Sequence, residues 1–293
     1  MNYRTDKYGN RLSILGFGCM RFPMKAGRID LAETEREILA AVEGGVNYFD
    51  TAYMYHGGDS EKMVGDVLSK YPRESYYLAD KMPLGYLRKA EDLERIFAEQ
   101  LERTKAGYFD FYLMHNISRH TWGVARKLGV WDYMKKLKAA GKVRHIGFSF
   151  HDNAALLDEI LTKYPFFDFV QLQINYLDWE DKVVNARKCY EVACKYDKKV
   201  IIMEGLKGGS LVNLPPEALN LLNNYDDNIF NTIEILDKLE EIYLKMGETE
   251  DADELDRLVN KSSRMQETLD NAGFYDLDSK IKKVAGGLGV HNF

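Results

Sequence analysis

Four residues well separated in the chain, Asp50, Tyr55, Lys81 and His115, are of the types that together can hand a proton to a carbonyl oxygen. A phenol is a poor acid at neutral pH, with an ordinary pKa near ~10, but an adjacent ammonium stabilises the phenolate and draws that value down. Lys81 supplies the charge. Asp50 pairs with Lys81 and holds it, while His115 donates a hydrogen bond that orients the carbonyl for attack. Singly, each has an ordinary explanation: a strand-end Asp caps the next helix, a Tyr packs, a Lys is solvated and a His is a satisfied polar group. Only convergence makes them a site, and convergence depends on the elements that carry them.

Short β-branched and aromatic runs alternate with longer amphipathic segments, the pattern of parallel strands joined by crossover helices. Seven strands are read: Ile14 to Gly18, Asn47 to Asp50, Tyr76 to Lys81, Phe109 to His115, Arg144 to Phe150, Phe167 to Gln173 and Lys199 to Glu204. Apolar spacing of three and four predicts helices over Leu31 to Glu43, Ser60 to Ser69, Lys89 to Arg103, Val130 to Ala140, Ala154 to Lys163 and Lys182 to Tyr196. The expected fold is therefore α/β, a (β/α)8 TIM barrel of which seven strands are legible. All strand carboxyl ends of such a barrel open on one face, where Asp50, Lys81 and His115 end the second, third and fourth strands and Tyr55 follows in the loop FDTAYMY. An N-terminal hairpin around Lys7-Tyr8-Gly9-Asn10 is expected to cap the opposite end.

From about Asn228 the chain becomes charged and helical in period, so a barrel over residues 1–228 and a helical tail over 229–293, packed on it, are expected. Ile229, Ile233, Leu236, Leu239, Ile242 and Tyr243 fall on one face of that tail. The candidate for an eighth strand, Val284 to Val290, carries three glycines that argue against a regular strand.

At 293 residues and 45% hydrophobic, the chain is long enough for a core that needs no staples. Its net charge of −6, from 46 acidic and 40 basic residues mixed along the sequence, leaves no basic stripe for a nucleic acid. The three cysteines, Cys19, Cys189 and Cys194, lack zinc spacing and are too few for a disulfide framework, so no metal is expected. Cys19 reads as a packed thiol. The N-terminus has no signal-like apolar core and no later uncharged stretch approaches membrane-spanning length, so a cytoplasmic protein without a membrane partner is expected. Trp122, Trp131 and Trp179 are either packing or substrate-wall residues. Oligomeric state does not follow from the sequence.

The segments GFGCMRFP, NYFDTAYMYHGGDSEKMVGDVL, YLADK, DFYLMH, VRHIGFSFH, VQLQINYLD and VIIMEGLKGGSLVN resemble successive motifs of the aldo-keto reductase family, from about Asn2 to Asn213. The sequence is most similar to the bacterial and archaeal branch that often carries a ferredoxin-like tail. The resemblance implies reduction of an aldehyde or ketone, a small-molecule carbonyl, by hydride from a nicotinamide cofactor, NADPH or alternatively NADH. It makes Tyr55 the general acid, tuned by Lys81 and Asp50, with His115 orienting the carbonyl. Ser149 and Gln171 match positions that hydrogen-bond the nicotinamide carboxamide. Glu204, Leu206, Lys207, Gly208, Gly209 and Leu211 lie in the stretch that matches the loop along the pyrophosphate, where glycines let backbone N–H groups approach phosphates. No counterpart of the family's adenosine clamp is legible after Asn213, and the cysteines of an iron-sulfur tail are absent, so no cluster is expected. Two alternatives follow: a barrel turned to binding or regulation, or a truncated or fused reductase.

Overall fold

A computed structural model of the protein describes residues 1–213, 216, 238–239, 242, 245–246, 249 and 251–271. The chain divides into two compact units, Met1–Gly205 and Leu206–Phe293. The expected boundary at residue 228, the apolar positions 229, 233, 236 and 243 of the tail and the segment 284–290 lie outside the described residues.

The first unit opens with the antiparallel hairpin β1 (Tyr3–Thr5) and β2 (Arg11–Ser13). Asp6 accepts from the backbone N–H groups of Tyr8 and Asn10, which closes the turn as the sequence suggests. A parallel seven-stranded sheet follows, in which β3 (Phe17–Gly18), β6 (Tyr48–Asp50), β7 (Tyr77–Met82), β8 (Phe109–Ile117), β9 (Val143–Phe150), β10 (Phe169–Gln173) and β11 (Lys199–Met203) are neighbours in chain order. This is the sheet of an incomplete (β/α)8 barrel: β3 and β11 are its edges among the described residues.

Helices connect the strands. α1 (Leu31–Glu43) and α6 (Ala154–Lys163) fall where the apolar spacing places them, each started by a side chain, Asp30 or Asn153, that accepts a free N–H of the first turn. α2 (Asp59–Leu68), α3 (Glu91–Thr104) and α5 (Val130–Ala139) also match their predicted segments closely. α7 (Ala186–Lys195) begins later than predicted, because Asp181 captures the N–H groups of Val183 and Val184 in a turn and Asn185 takes a left-handed φ of 57°. Two elements are additional to the sequence reading. α4 (Arg119–Leu128) is nucleated by reciprocal hydrogen bonds between Ser118 and Thr121 and stopped at Gly129. A small hairpin, β4 (Met24–Lys25) and β5 (Arg28–Ile29), turns at Ala26 and Gly27. In the second unit the described helix is α8 (Ala252–Asn271), and Leu239 and Ile242 are buried.

From β6 to β10 the sheet is largely buried on both faces, and its two-residue alternation sorts the side chains. One face turns Phe49, Leu78, Met82, Tyr112, Met114, Ile146, Phe148 and Val170 toward the helices, where they pack with Ile38, Val64, Ile96, Phe97 and Leu157. The other gathers Tyr48, Ala79, Phe111, Leu113 and Phe169, with Leu12 of the hairpin packed against them. The hairpin thus closes one end of the interior. Gly147 is needed on this inner face, since a Cβ there would stand 2.5 Å from the Phe169 carbonyl oxygen and 2.8 Å from its ring. A second close approach lies outside, where a Cβ at Gly65 of α2 would come within 2.4 Å of the Arg103 carbonyl oxygen on α3. Trp122 and Trp131 stack at 5.0 Å within the helix layer, which makes them packing residues.

Candidate active site

Inner-face periodicity continues toward the carboxyl ends of the strands. Counting in twos from Tyr48, Ala79, Phe111, Gly147 and Phe169 leads to Asp50, Lys81, His115, Ser149 and Gln171, so five side chains on five consecutive strands turn to one region. Tyr55 arrives from the loop after β6, where a turn of 3-10 helix spans Tyr55–Gly58 and His56 adopts a left-handed φ of 51°. That loop is pinned at both sides. Ser60 donates to the Cys19 carbonyl at 2.7 Å and lies 2.9 Å from the Thr51 hydroxyl. The His56 imidazole accepts the Phe22 N–H at 3.1 Å and stacks on the Phe22 ring.

The Lys81 ammonium is 1% exposed. It donates to Asp50 Oδ1, to the Thr51 carbonyl at 2.8 Å and to the Tyr55 hydroxyl at 3.3 Å. Three acceptors therefore use all three protons of a cation that has lost its water. Asp50 is held in turn by Gln171, whose Nε2 donates to Oδ2 at 2.9 Å. Tyr55 meets His115 edge-on, with ring centroids 5.7 Å apart. Burial alone would depress Lys81, but Asp50 and Tyr55 reverse that and hold it above its ordinary value, so it stays charged.

Tyr55 differs from the sequence expectation. Burial raises its pKa above 10; Lys81 opposes the rise and Asp50 adds to it. The phenol is thus firmly protonated, as an acid must be before it acts. Burial, with smaller contributions from Lys81 and His151, lowers His115 to about 3, so its imidazole is neutral. Its Nδ1 is buried with no partner among the described residues.

Ser149 and Gln171 are paired across β9 and β10. The Ser149 hydroxyl accepts the Asn116 N–H at 2.7 Å and keeps its own proton to donate, and Gln171 spends one amide proton on Asp50. Both are buried, with donor capacity left for an amide-bearing ligand. Glu204 lies just past β11 with a left-handed φ of 56°; its carboxylate pairs with Arg21 at 3.3 Å and its carbonyl accepts from Asn175 at 3.1 Å. Leu206, Lys207, Gly208, Gly209 and Leu211 belong to the second unit. There Lys207, Gly208 and Gly209 take φ of 48°, 65° and 96° in succession, a turn that two glycines make accessible. Cys19 is fully buried and its thiol is pushed well up, and burial likewise pushes Cys189 to about 12, so both are packed thiols. Among the described residues no group of three or more His, Cys, Asp or Glu side chains could hold a metal ion, and no helix is long and apolar enough to cross a membrane.

One member of the site was not legible: the Thr51 carbonyl, a main-chain acceptor that no side-chain pattern announces.

A tyrosine, a lysine and two acceptors are thus gathered at the strand ends of a parallel strand-and-helix sheet. Residues 14–285 match the Aldo/keto reductase family, and the chain belongs to that family. It is similar to L-galactose dehydrogenase of Arabidopsis thaliana, 30% identical over 48% of this chain and 46% of that protein. It is also similar to the NADH-specific methylglyoxal reductase of Escherichia coli, 29% identical over 57% and 56%. The chain thus spans about half the length of the curated relatives it matches. Among solved structures, it resembles the holo form of an aldo-keto reductase from Bacillus halodurans, with a TM-score of 0.61 and 22% identity over 74% of this chain and 71% of that one. An aldo-keto reductase of Bombyx mori in complex with NADP has a TM-score of 0.57 and 20% identity over 76% of each chain. A different kinship appears over 54 residues, 18% of this chain, which are 44% identical to 10% of an uncharacterised ABC transporter ATP-binding protein of Bacillus subtilis.

Proposed function

We propose that the protein reduces a small aldehyde or ketone by hydride transfer from a nicotinamide cofactor, with Tyr55 as the general acid. The observation that carries this is the Lys81 ammonium held between Asp50, Thr51 and the Tyr55 hydroxyl. Tyr55 rests as a protonated phenol; as negative charge develops on a carbonyl oxygen beside it, its proton moves across and Lys81 stabilises the phenolate left behind. Neutral His115, at the same end of the interior, donates a hydrogen bond that fixes the carbonyl. A bound nicotinamide would supply the hydride, and the remaining donors of Ser149 and Gln171 fit its carboxamide. The turn at Lys207, Gly208 and Gly209 suits a pyrophosphate. NADPH is our first assignment for the cofactor and NADH the second; the relatives carry names of both kinds. The cytoplasm is our assignment for its location.

Titrating NADPH and NADH against tryptophan fluorescence, then following a carbonyl panel at the nicotinamide absorbance, tests the reading. Binding with turnover supports it. Absence of binding at high cofactor concentration overturns it in favour of a barrel that binds or regulates.

A further inference from the structure

Asp80 sits immediately before Lys81 on β7 and points the other way, into the layer between sheet and helices, where it is 0% exposed. Its Oδ1 accepts the Lys81 N–H at 2.7 Å and the Gln100 side-chain amide at 2.8 Å. The same amide donates to the Lys81 main-chain carbonyl at 3.0 Å, and Gln100 Oε1 accepts from the Tyr112 hydroxyl at 2.5 Å. Glu61, on α2, is also 0% exposed, and its Oε2 accepts from Arg103 of α3 at 2.9 Å. One oxygen of each carboxyl, Asp80 Oδ2 and Glu61 Oε1, is then left buried without a donor among the described residues. The two groups are neighbours, each carboxyl acting on the other.

Two neighbouring carboxyl groups sealed from water do not both ionise, and two buried oxygens without donors lack one proton between them. We propose that Asp80 and Glu61 share a single proton between Asp80 Oδ2 and Glu61 Oε1, and that Asp80, kept neutral, is a positioning residue for Lys81. Burial and the facing Glu61 carboxyl hold Asp80 well above the ordinary carboxylate range, against the pull of the Lys81 N–H and ammonium.

The arrangement has two effects on the site. Electrostatically, the cations nearby are the buried Lys81 and the half-buried Arg103, and the groups facing them are Asp50 from β6, the Asp80–Glu61 pair from β7 and α2, Glu99 from α3 and the protonated Tyr112 from β8. With one proton in the pair, Asp50 is the only anion in contact with the Lys81 ammonium among the described residues, and the remaining field of that cation falls on Tyr55. An ionised Asp80 would compete with the developing phenolate for Lys81. Mechanically, Glu61 lies in the first turn of the helix that follows the Tyr55 loop, so the shared proton ties that loop to the strand of the lysine. Arg103 lies under the same loop: a Cβ at Gly58 would stand 2.9 Å from its Nη1.

The effects on Tyr55 rest on the proposed function; the shared proton does not. Stability of the full chain is measured by denaturant from pH 4 to pH 8 for wild type, Asp80→Asn and Glu61→Gln. In either variant an amide N–H replaces the proton. The wild-type fold retains a proton that its unfolded chain releases above the ordinary carboxylate pKa, so wild type should lose stability relative to both variants as pH rises. The relative folding constant should change by about tenfold per pH unit. A gap that moves the opposite way, or does not move, overturns the shared proton. Should a variant fail to fold, the infrared carbonyl stretch of a protonated carboxyl in wild type at neutral pH decides; its absence refutes the proposal.

For the positioning role, Asp80→Ala should lower kcat by tenfold or more with the cofactor KM unchanged, and Asp80→Asn should restore most of it. Equal losses in Asp80→Ala and Asp80→Asn, or a loss confined to KM, refute positioning. If no nicotinamide turnover is found in wild type while the pH slopes appear, the proposed function and the positioning role fall and the shared proton stands.

Discussion

Two histidines face the same interior from neighbouring strands and have opposite fates. His145, near the start of β9, lies at the end closed by the hairpin: Asn10 reaches its Nε2 at 2.9 Å, and the rings of Tyr8 and Phe111 lie 4.7 and 5.1 Å away. His115, toward the end of β8, meets the Tyr55 ring and the field of Lys81. The closed end holds its imidazole at Nε2 and packs it between aromatic rings, although its Nδ1, like that of His115, has no partner among the described residues. The other end spends its hydrogen bonds on keeping a lysine charged and a tyrosine protonated, and leaves the imidazole for something else. A residue type alone therefore says little here; the end of the strand it occupies says most of it.

Substitutions at the two ends should separate cleanly, and the largest effect belongs to Tyr55. Tyr55→Phe removes the proposed acid, so carbonyl reduction should fall by about 10²- to 10⁴-fold while fluorescence titration shows unchanged cofactor affinity. Retained turnover would dissolve the contrast between the ends. Asp50→Ala leaves a buried ammonium without its counter-ion, and chemical denaturation should show a loss of about 3–5 kcal/mol. At the closed end, Asn10→Ala should cost only about 1 kcal/mol in the same assay and leave kcat as it was.

Acid sharpens the comparison further. His115 titrates at about 3 in the fold against 6.5 ordinarily, so below pH 6.5 the unfolded chain takes up a proton that the native chain refuses. Its contribution to stability is intact above pH 6.5 and is lost as pH falls toward 3. His115→Gln should remove that part of the acid sensitivity, as read from denaturation midpoints between pH 7 and 4. His145, also lowered by burial but partly offset by Asp168, should contribute less. Equal effects from the two histidines would mean that their surroundings differ less than the contacts imply.

The proton side was legible because strand alternation and strand-end position are sequence properties. Asp50, Lys81 and His115 end apolar runs, and counting by twos puts them on one face. α1 and α6 were legible to the residue, since a capping side chain precedes an apolar stripe in each. α4 was not, because its first turn, Arg119-His120-Thr121, carries no apolar residue and depends on the Ser118–Thr121 bonds. The acidity of Tyr55 was misjudged for a physical reason: sequence reveals the neighbouring charge but not the depth of burial, and burial outweighs the charge. Asp80 carried no visible role because the same alternation that aims Lys81 inward aims its predecessor away. The glycines after β11 were read from position alone, and three successive left-handed residues give that reading a backbone basis.

Gly65 offers a way to adjust the candidate site without touching it. α2 and α3 meet there so closely that one added methyl group must push the helices apart, and α2 is continuous with the loop of Tyr55. A series running from Gly to Ala to Ser at residue 65 would act as a set of molecular shims. It would move the hydroxyl of Tyr55 by fractions of an ångström while leaving every chemical group in the interior unaltered.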